Sequence, residues 1–207
     1  MKLKDAIDLK TGKNFSRNKG EIEVGLAYTY DDLSRDLGEL AFSQKNKELR
    51  EKKIINNIND EDHYQVSAGD VVFSFVSSTA GVVSQESEGK VLNQNFTKLI
   101  IKTPQIDPLY LCYCLNQSTY LKKQMAIEMQ GSTLRRLTPS TLRELDIPIV
   151  DYSKQKSIGR TYFSLLKRQY LMEQQLDQEK KFILTLLDNQ IKREANQEGK
   201  HDKVTTN

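Results

Sequence analysis

The sequence predicts an α+β protein: a mixed α/β domain followed by a long C-terminal coiled-coil helix. Three observations carry that prediction. From Ser153 to Arg193, stepping by four and three from Ile158, the chain meets Tyr162, Leu165, Gln169, Met172, Leu176, Glu179, Ile183, Leu186 and Gln190, so seven of ten seam positions are apolar. Between Val66 and Lys102 short β-branched runs alternate with Gly- and Asp-containing turns. Upstream and downstream of those runs, apolar residues return to helical spacing. A helix of about 40 residues spans roughly 60 Å, more than a globule of this size needs internally. It is expected to pack against something outside its own domain; packing back onto that domain is the alternative.

Taken in order, residues 1 to about 25 read as a short helix or strand followed by a loop, with Thr11-Gly12-Lys13-Asn14 as a turn. Tyr30 to Leu40 has helical spacing, with Leu33, Leu37 and Leu40 on one face. Gln44 to Asn57 is Lys-rich and polar, an exposed loop or a surface helix. Gly69-Asp70 reads as a turn feeding a strand to Val76, Gly81 to Ser84 as a second strand, and Glu86 to Gly89 as a hairpin turn. Val91-Leu92 and Phe96 to Lys102 are β-branched, buried strand segments. Asp107-Pro108 opens a helix running to about Met129. Leu145 to Val150 is a last short strand, and Pro148 places it at an edge. The expected division is a domain over 1–151, the long helix over 152–194 and a disordered tail over 195–207.

Charged residues make up 29% of the 207-residue chain and hydrophobic ones 37%, and the mean hydropathy is −0.62. No apolar run approaches the roughly 20 residues of a membrane span, and Met-Lys-Leu-Lys-Asp-Ala-Ile-Asp lacks the apolar core of a signal peptide. A cytoplasmic protein without membrane partners is expected. Cys112 and Cys114 sit in an apolar stretch, and the histidines are only His63 and His201. Buried thiols in a reducing compartment are therefore expected, with no disulfide framework, no zinc and no cofactor.

The net charge of +3 is small, but its distribution is uneven. Lys10, Lys13, Arg17 and Lys19 share one acid-free segment, and Arg135, Arg136 and Arg143 share another. Two basic clusters on a balanced surface suit a directed anionic contact, with ordinary solvated charge as the alternative. Catalytic readings fare poorly. An amino-methyltransferase needs an Asn/Asp-Pro-Pro-aromatic motif, and the four prolines are never adjacent. Thr11-Gly12-Lys13 lacks the upstream glycine of a P-loop. Asp70 with Glu88-Gly89-Lys90 matches a nuclease pattern only formally, because Glu88-Gly89 reads as a turn tip.

Several motifs together carry a resemblance. They are Gly-Asp-Val-Val-Phe-Ser (69–74), Leu-Asn-Gln-Asn-Phe (92–96), Gln-Gly-Ser-Thr-Leu-Arg-Arg-Leu (130–137) and Leu-Asp-Ile-Pro-Ile (145–149), which leads through Gln155-Lys-Ser-Ile into the long helix. In order and spacing the chain resembles the DNA-specificity subunit of type I restriction–modification systems, from Leu3 to about Ile191. A full specificity subunit carries two such units in tandem, so this chain resembles a half-subunit with one target-recognition domain and one helix. The resemblance implies a non-catalytic chain that binds double-stranded DNA sequence-specifically. It also implies assembly with a modification (methyltransferase) subunit, with or without a restriction subunit. Two copies, or this chain and another specificity chain, would pair through antiparallel helices to read a bipartite target. A second reading stays open: a regulatory half-subunit that pairs with a full specificity chain or the modification subunit and alters assembly without specific DNA binding of its own.

The residues expected to matter follow from chemistry. Lys13, Arg17 and Lys19 suit phosphate contacts. In the 130–136 loop, Thr133, Arg135 and Arg136 suit phosphate or base contact, or form a structural turn. Ser77 and Ser78, followed by Thr79, line a recognition loop or an ordinary hairpin. Asn93 and Asn95 satisfy turn backbone or touch DNA. On the helix, Ile158, Tyr162, Leu165, Met172, Leu176, Ile183 and Leu186 form the dimer seam, with Gln169, Glu179 and Gln190 setting register.

Overall fold

The computed structural model describes residues 1–14, 24–38, 53–55, 64–130 and 137–201, with 24–25, 53–55 and 195–201 described by backbone alone. In chain order the elements are α1 (Leu3–Ala6), β1 (Ile7–Thr11), β2 (Val24–Leu26), α2 (Tyr30–Asp36), β3 (Lys53–Ile55), β4 (Val71–Ser74), β5 (Thr79–Val82), β6 (Phe96–Ile101), α3 (Pro108–Gln117), α4 (Thr119–Gln130), α5 (Pro139–Glu144) and α6 (Tyr152–His201). They make the α+β architecture predicted, a four-stranded antiparallel sheet with helices and a long C-terminal helix.

The sheet order is β1-β6-β4-β5. β4 is an interior strand and every residue of Val-Val-Phe-Ser is buried, as expected where both faces are covered. Alternation splits the core in two. Val71, Phe73 and Leu99 face a cluster built with α3, α4 and α5 (Tyr110, Leu111, Leu115, Leu121, Leu142). Val72 and Phe96 face the other way, against Tyr28, Leu33, Leu37 and Leu92. β2 and β3 pair separately as a two-stranded antiparallel ribbon.

Helix starts obey local capping chemistry. Thr29 and Asp32 form a reciprocal capping box on α2, and Thr138 with Thr141 does the same on α5, where Pro139 occupies the first turn. Asp107 Oδ1 accepts from the Leu109 and Tyr110 N–H groups (3.0 Å each) at the start of α3.

Four sequence expectations are corrected. The single helix expected over 107–129 breaks at Ser118 into α3 and α4. The break falls just after Asn116, whose carboxamide bonds the Ala80 N–H and carbonyl on β5 (2.7 Å each). Lys53–Ile55, expected in a loop or surface helix, is strand β3, where Lys53, Ile54 and Ile55 pair with Leu26, Gly25 and Val24. Leu145 to Val150 is no strand: it forms one bridge, Lys2 with Asp146, flanked by Leu3 N–H donating to Leu145 O (2.8 Å) and Ile147 N–H to Met1 O (2.9 Å). Pro148 has no N–H to continue that ladder. Helix α5 has no counterpart among the expected elements. Leu40 and most of Gln44 to Asn57 lie outside the described residues.

The first compact unit is Met1–Lys167, so it takes in the first turns of α6. Gln155, 1% exposed, holds them. Its Oε1 accepts from Asp107 N–H (3.1 Å), and its Nε2 donates to Gln105 O (2.8 Å) and Val150 O (2.9 Å). Gly159 lets the helix approach closely, since a Cβ there would lie 2.7 Å from both Leu109 Cβ and Tyr110 N. Asp151 caps α6: its Oδ2 accepts from Ser153 N–H (3.1 Å) and from the Ser153 hydroxyl, and these bonds hold its carboxyl below the usual range. Within the second unit, Arg168–Asn207, α6 remains helical through His201, into the stretch 195–207 expected as a tail. Among the described residues no helix is long and apolar enough to cross a membrane.

Candidate nucleic-acid interface

The register of the sheet decides what meets what. Thr11 at the end of β1 lies opposite Thr97 near the start of β6, and Ser74 at the end of β4 lies opposite Phe96. Three connecting segments therefore converge at one sheet end: 11–14, the 92–96 loop, and the β4–β5 tip at 75–78. Two of the sequence motifs, Thr11-Gly-Lys-Asn14 and Leu92-Asn-Gln-Asn-Phe96, are thereby interlocked. Gly12 N–H donates to Phe96 O and Lys13 N–H to Leu92 O, while Gln94 N–H donates back to Lys13 O, each at 2.9 Å. The crossing is tight enough to require glycine: a Cβ at Gly12 would sit 2.5 Å from the Leu92 carbonyl carbon and against Asn93 O.

Side chains in the loop divide by role. Asn93 Oδ1 accepts from Asn95 N–H (2.8 Å), which satisfies turn backbone. Asn95 O accepts from Phe75 N–H (2.8 Å) and so ties the loop to the β4–β5 tip. Gln94 is exposed at the apex, between these two anchors. Lys13 is half-buried, with its Nζ 5.7 Å from the Tyr64 ring centroid, a cation–π contact that orients the ammonium.

The β4–β5 tip is irregular. Ser77 N–H donates to Ser74 Oγ (3.3 Å) and Ser77 O accepts from Thr79 Oγ1 (3.1 Å), while Ser77 Oγ is buried with no hydrogen-bond partner. Ser78 adopts φ +53°, the left-handed region, and Val76 stands 61% exposed. Lys13, Ser77 and Ser78, expected in DNA contact, thus belong to one sheet end. Arg17, Lys19, Thr133, Arg135 and Arg136 lie outside the described residues. Sequence reading passed over Gln94 and Tyr64. The sequence alone does not single out Gln94, because its exposure depends on the backbone bonds that close this turn.

Charges nearby are arranged in pairs. Lys10 lies directly opposite Lys98 across β1 and β6, an unfavourable juxtaposition relieved by Asp70, whose Oδ2 is 2.6 Å from Lys98 Nζ. Asp70 also accepts from Ser67 N–H (2.8 Å), and Lys90 is bound to Asp32 (2.6 Å). The formal nuclease pattern of Asp70, Glu88 and Lys90 is therefore dismantled: its Asp and Lys each serve another partner. Cys112 and Cys114 are core residues, and burial pushes the Cys114 thiol up to about 11 and Cys112 higher still.

The expected helical seam divides as well. Tyr162 is 8% exposed in the core of its own unit, where its OH accepts from Asn116 Nδ2 (3.2 Å). Ile158 is partly buried against that unit. Leu165, Met172, Leu176, Ile183 and Leu186 are each about half exposed or more.

Solved structures share this fold. The chain is similar to the HsdS subunit from Thermoanaerobacter tengcongensis (16% identity, TM-score 0.51), with 83% of this chain and 38% of that chain covered. A type I restriction–modification S subunit from M. genitalium gives 11% identity and TM-score 0.51 over 84% and 40% of the two chains. A structure concerning complex assembly and conformational transition of the type I R-M system gives 16% and 0.51 over 90% and 42%. The chain thus spans about two-fifths of the length of these solved chains. No curated protein matches it. The family model for the type I restriction modification DNA specificity domain matches residues 1–181, more than half of the chain, and the chain belongs to that family.

Proposed function

We propose that this chain is a sequence-specific DNA-binding specificity subunit of a type I restriction–modification complex in the cytoplasm, itself without catalysis. The observation that carries this reading is the convergence of Lys13, the Asn93–Asn95 loop and the Ser77–Ser78 tip on one sheet end, in a chain of this family. A rigid backbone carrying polar side chains at the surface, Gln94 exposed and Lys13 and Ser78 half-buried, suits base reading. Lys13, Arg17 and Lys19 serve as phosphate contacts, Ser77 and Ser78 line the reading loop, and Thr133, Arg135 and Arg136 add a second basic contact.

The head, 1–151, is presented by the helix 152–194. Two copies pair their helices antiparallel, with Leu165, Met172, Leu176, Ile183 and Leu186 in the seam. Burying a large apolar side chain contributes roughly 1.5–3 kcal/mol, so ten such residues across a dimer outweigh the cost of association even after heavy discounting. Two-fold pairing yields a palindromic bipartite target. Partners in this reading are double-stranded DNA, the modification subunit and a restriction subunit.

Selection from random duplex DNA, with the modification subunit present, tests the reading. Enrichment of two short half-sites at fixed spacing is expected; no enriched motif rejects it. A second reading is favoured by the exposed apolar residues of α6, which also suit a heteromeric helix partner. There the chain alters assembly by pairing with a full specificity chain or the modification subunit. Light scattering separates the two: a homodimer supports the first, and a monomer that forms only heteromers supports the second.

A further inference from the structure

We propose that Gln94 is a specificity-determining residue that reads an adenine in the major groove. The inference rests on the DNA-binding reading above and deepens it to one residue and one base.

Chemistry points to the base. A carboxamide presents one acceptor and one donor side by side. In the major groove that pair matches adenine, whose N6 amino group donates and whose N7 accepts. A phosphate takes hydrogen bonds without using the acceptor, and Lys13 beside the loop is better suited to it.

Geometry points to Gln94 over its neighbours. Asn93 is occupied, because its Oδ1 already accepts from Asn95 N–H. Asn95 is half-buried, and its backbone carbonyl is bound to Phe75 N–H. Gln94 is exposed, and among the described residues its side chain makes no hydrogen bond. Its backbone is nevertheless held from both sides: its own N–H donates to Lys13 O (2.9 Å), and Phe96 N–H donates to Asn93 O (2.9 Å), closing the turn. Gly12 fills the space underneath, where any Cβ would collide with the loop backbone. A flexible amide on a fixed Cα has little backbone entropy left to lose on binding, which favours discrimination between bases.

The test uses the full chain with its selected DNA. For the wild type, replacing adenine by 7-deazaadenine, which lacks the N7 acceptor, is expected to weaken binding at one motif position on the order of 5- to 150-fold. Gln94→Ala is expected to bind the unmodified motif more weakly by a similar factor and to show no further loss with 7-deazaadenine. Repeated selection with Gln94→Ala is expected to tolerate other bases at that position alone. The side chain is exposed, so an unchanged thermal midpoint for the variant is part of the expected result.

Two outcomes overturn the assignment while leaving the DNA reading intact: a Gln94→Ala motif identical to the wild type, or an equal loss of affinity for every sequence, which marks a phosphate contact. Failure of the wild type to select any motif is distinct from both, and removes the DNA reading and this inference together.

Discussion

The two stretches of α6 carry the same apolar periodicity and have opposite surroundings. In residues 152–167, Tyr162 and Leu166 are buried and Ile158 and Phe163 partly so, all against the domain that contains them. From Arg168 onward, Met172, Leu176, Phe182 and Ile183 are each more than half exposed. The stripe itself does not distinguish these fates. Its companions do: the first stretch contains Gly159, which permits close helix approach, and Gln155, whose amide answers three backbone groups, the Asp107 N–H among them buried. Glycine weakens an exposed helix, and Gln155 differs from the glutamines further along α6 in being 1% exposed with its amide occupied. A glycine and a fully satisfied glutamine inside an amphipathic pattern therefore mark the part that docks at home.

Mutation breaks this contrast most strongly at Tyr162. Tyr162→Ala removes a large buried ring packed edge-on against Tyr113 and Phe163, with centroids 5.7 and 5.5 Å away. A loss of about 3–5 kcal/mol from the domain is expected in denaturant titrations. A loss below about 1 kcal/mol would mean that these first turns are not held by the domain. Gln155→Leu comes next. It leaves Asp107 N–H, Gln105 O and Val150 O without their partner. A cost of about 1–3 kcal/mol is expected, and Gln155→Glu recovers only the bond from Asp107.

Thiol chemistry probes the same packing more gently. Cys112 and Cys114 lie in the core that the first turns of α6 help to cover, and burial raises both thiols, Cys114 to about 11 from an ordinary 9.0. A raised folded-state value means that the neutral form is favoured by folding. Its stabilising contribution is complete below about 9 and is lost as pH rises towards 11. An alkylating reagent at pH 8 is expected to label neither cysteine in the native wild type, and both after unfolding. Faster labelling of Tyr162→Ala, monitored by mass, ties the protection to the helix; rapid labelling of the wild type contradicts the burial.

Much of this was legible in sequence, and the misses share a cause. Gly69-Asp70 ahead of Val-Val-Phe-Ser announced β4 because turn chemistry and β-branching agree there. Asp107-Pro108 announced the start of α3, since proline and a capping aspartate act within one turn. The end of that helix was illegible: Asn116 turns to bond the Ala80 N–H and carbonyl on β5, 36 residues away in sequence. Tyr162 was read as a seam residue for the same reason, because its partner Asn116 is a tertiary one. At the sheet end, Lys13 is picked out by its charge alone, whereas the exposure of Gln94 follows only from the backbone commitments of Asn93 and Asn95.

The smallest expected effect on the domain is the sharpest test of the contrast. Leu176 is 64% exposed, so Leu176→Glu removes little packing within the chain. Denaturant stability of the head is expected to change by less than about 0.5 kcal/mol, as for ordinary surface substitutions. Pairing is affected quite differently. In the pairing proposed above, two-fold symmetry would place two copies of the new carboxylate in one apolar seam, where each would lose its hydration without gaining a partner. The mass by light scattering is expected to fall from dimer to monomer, with the Tyr162→Ala variant showing the converse pattern of lower stability before any loss of pairing. An unchanged mass for Leu176→Glu would assign the exposed stretch of α6 to some other surface than a second copy of this helix.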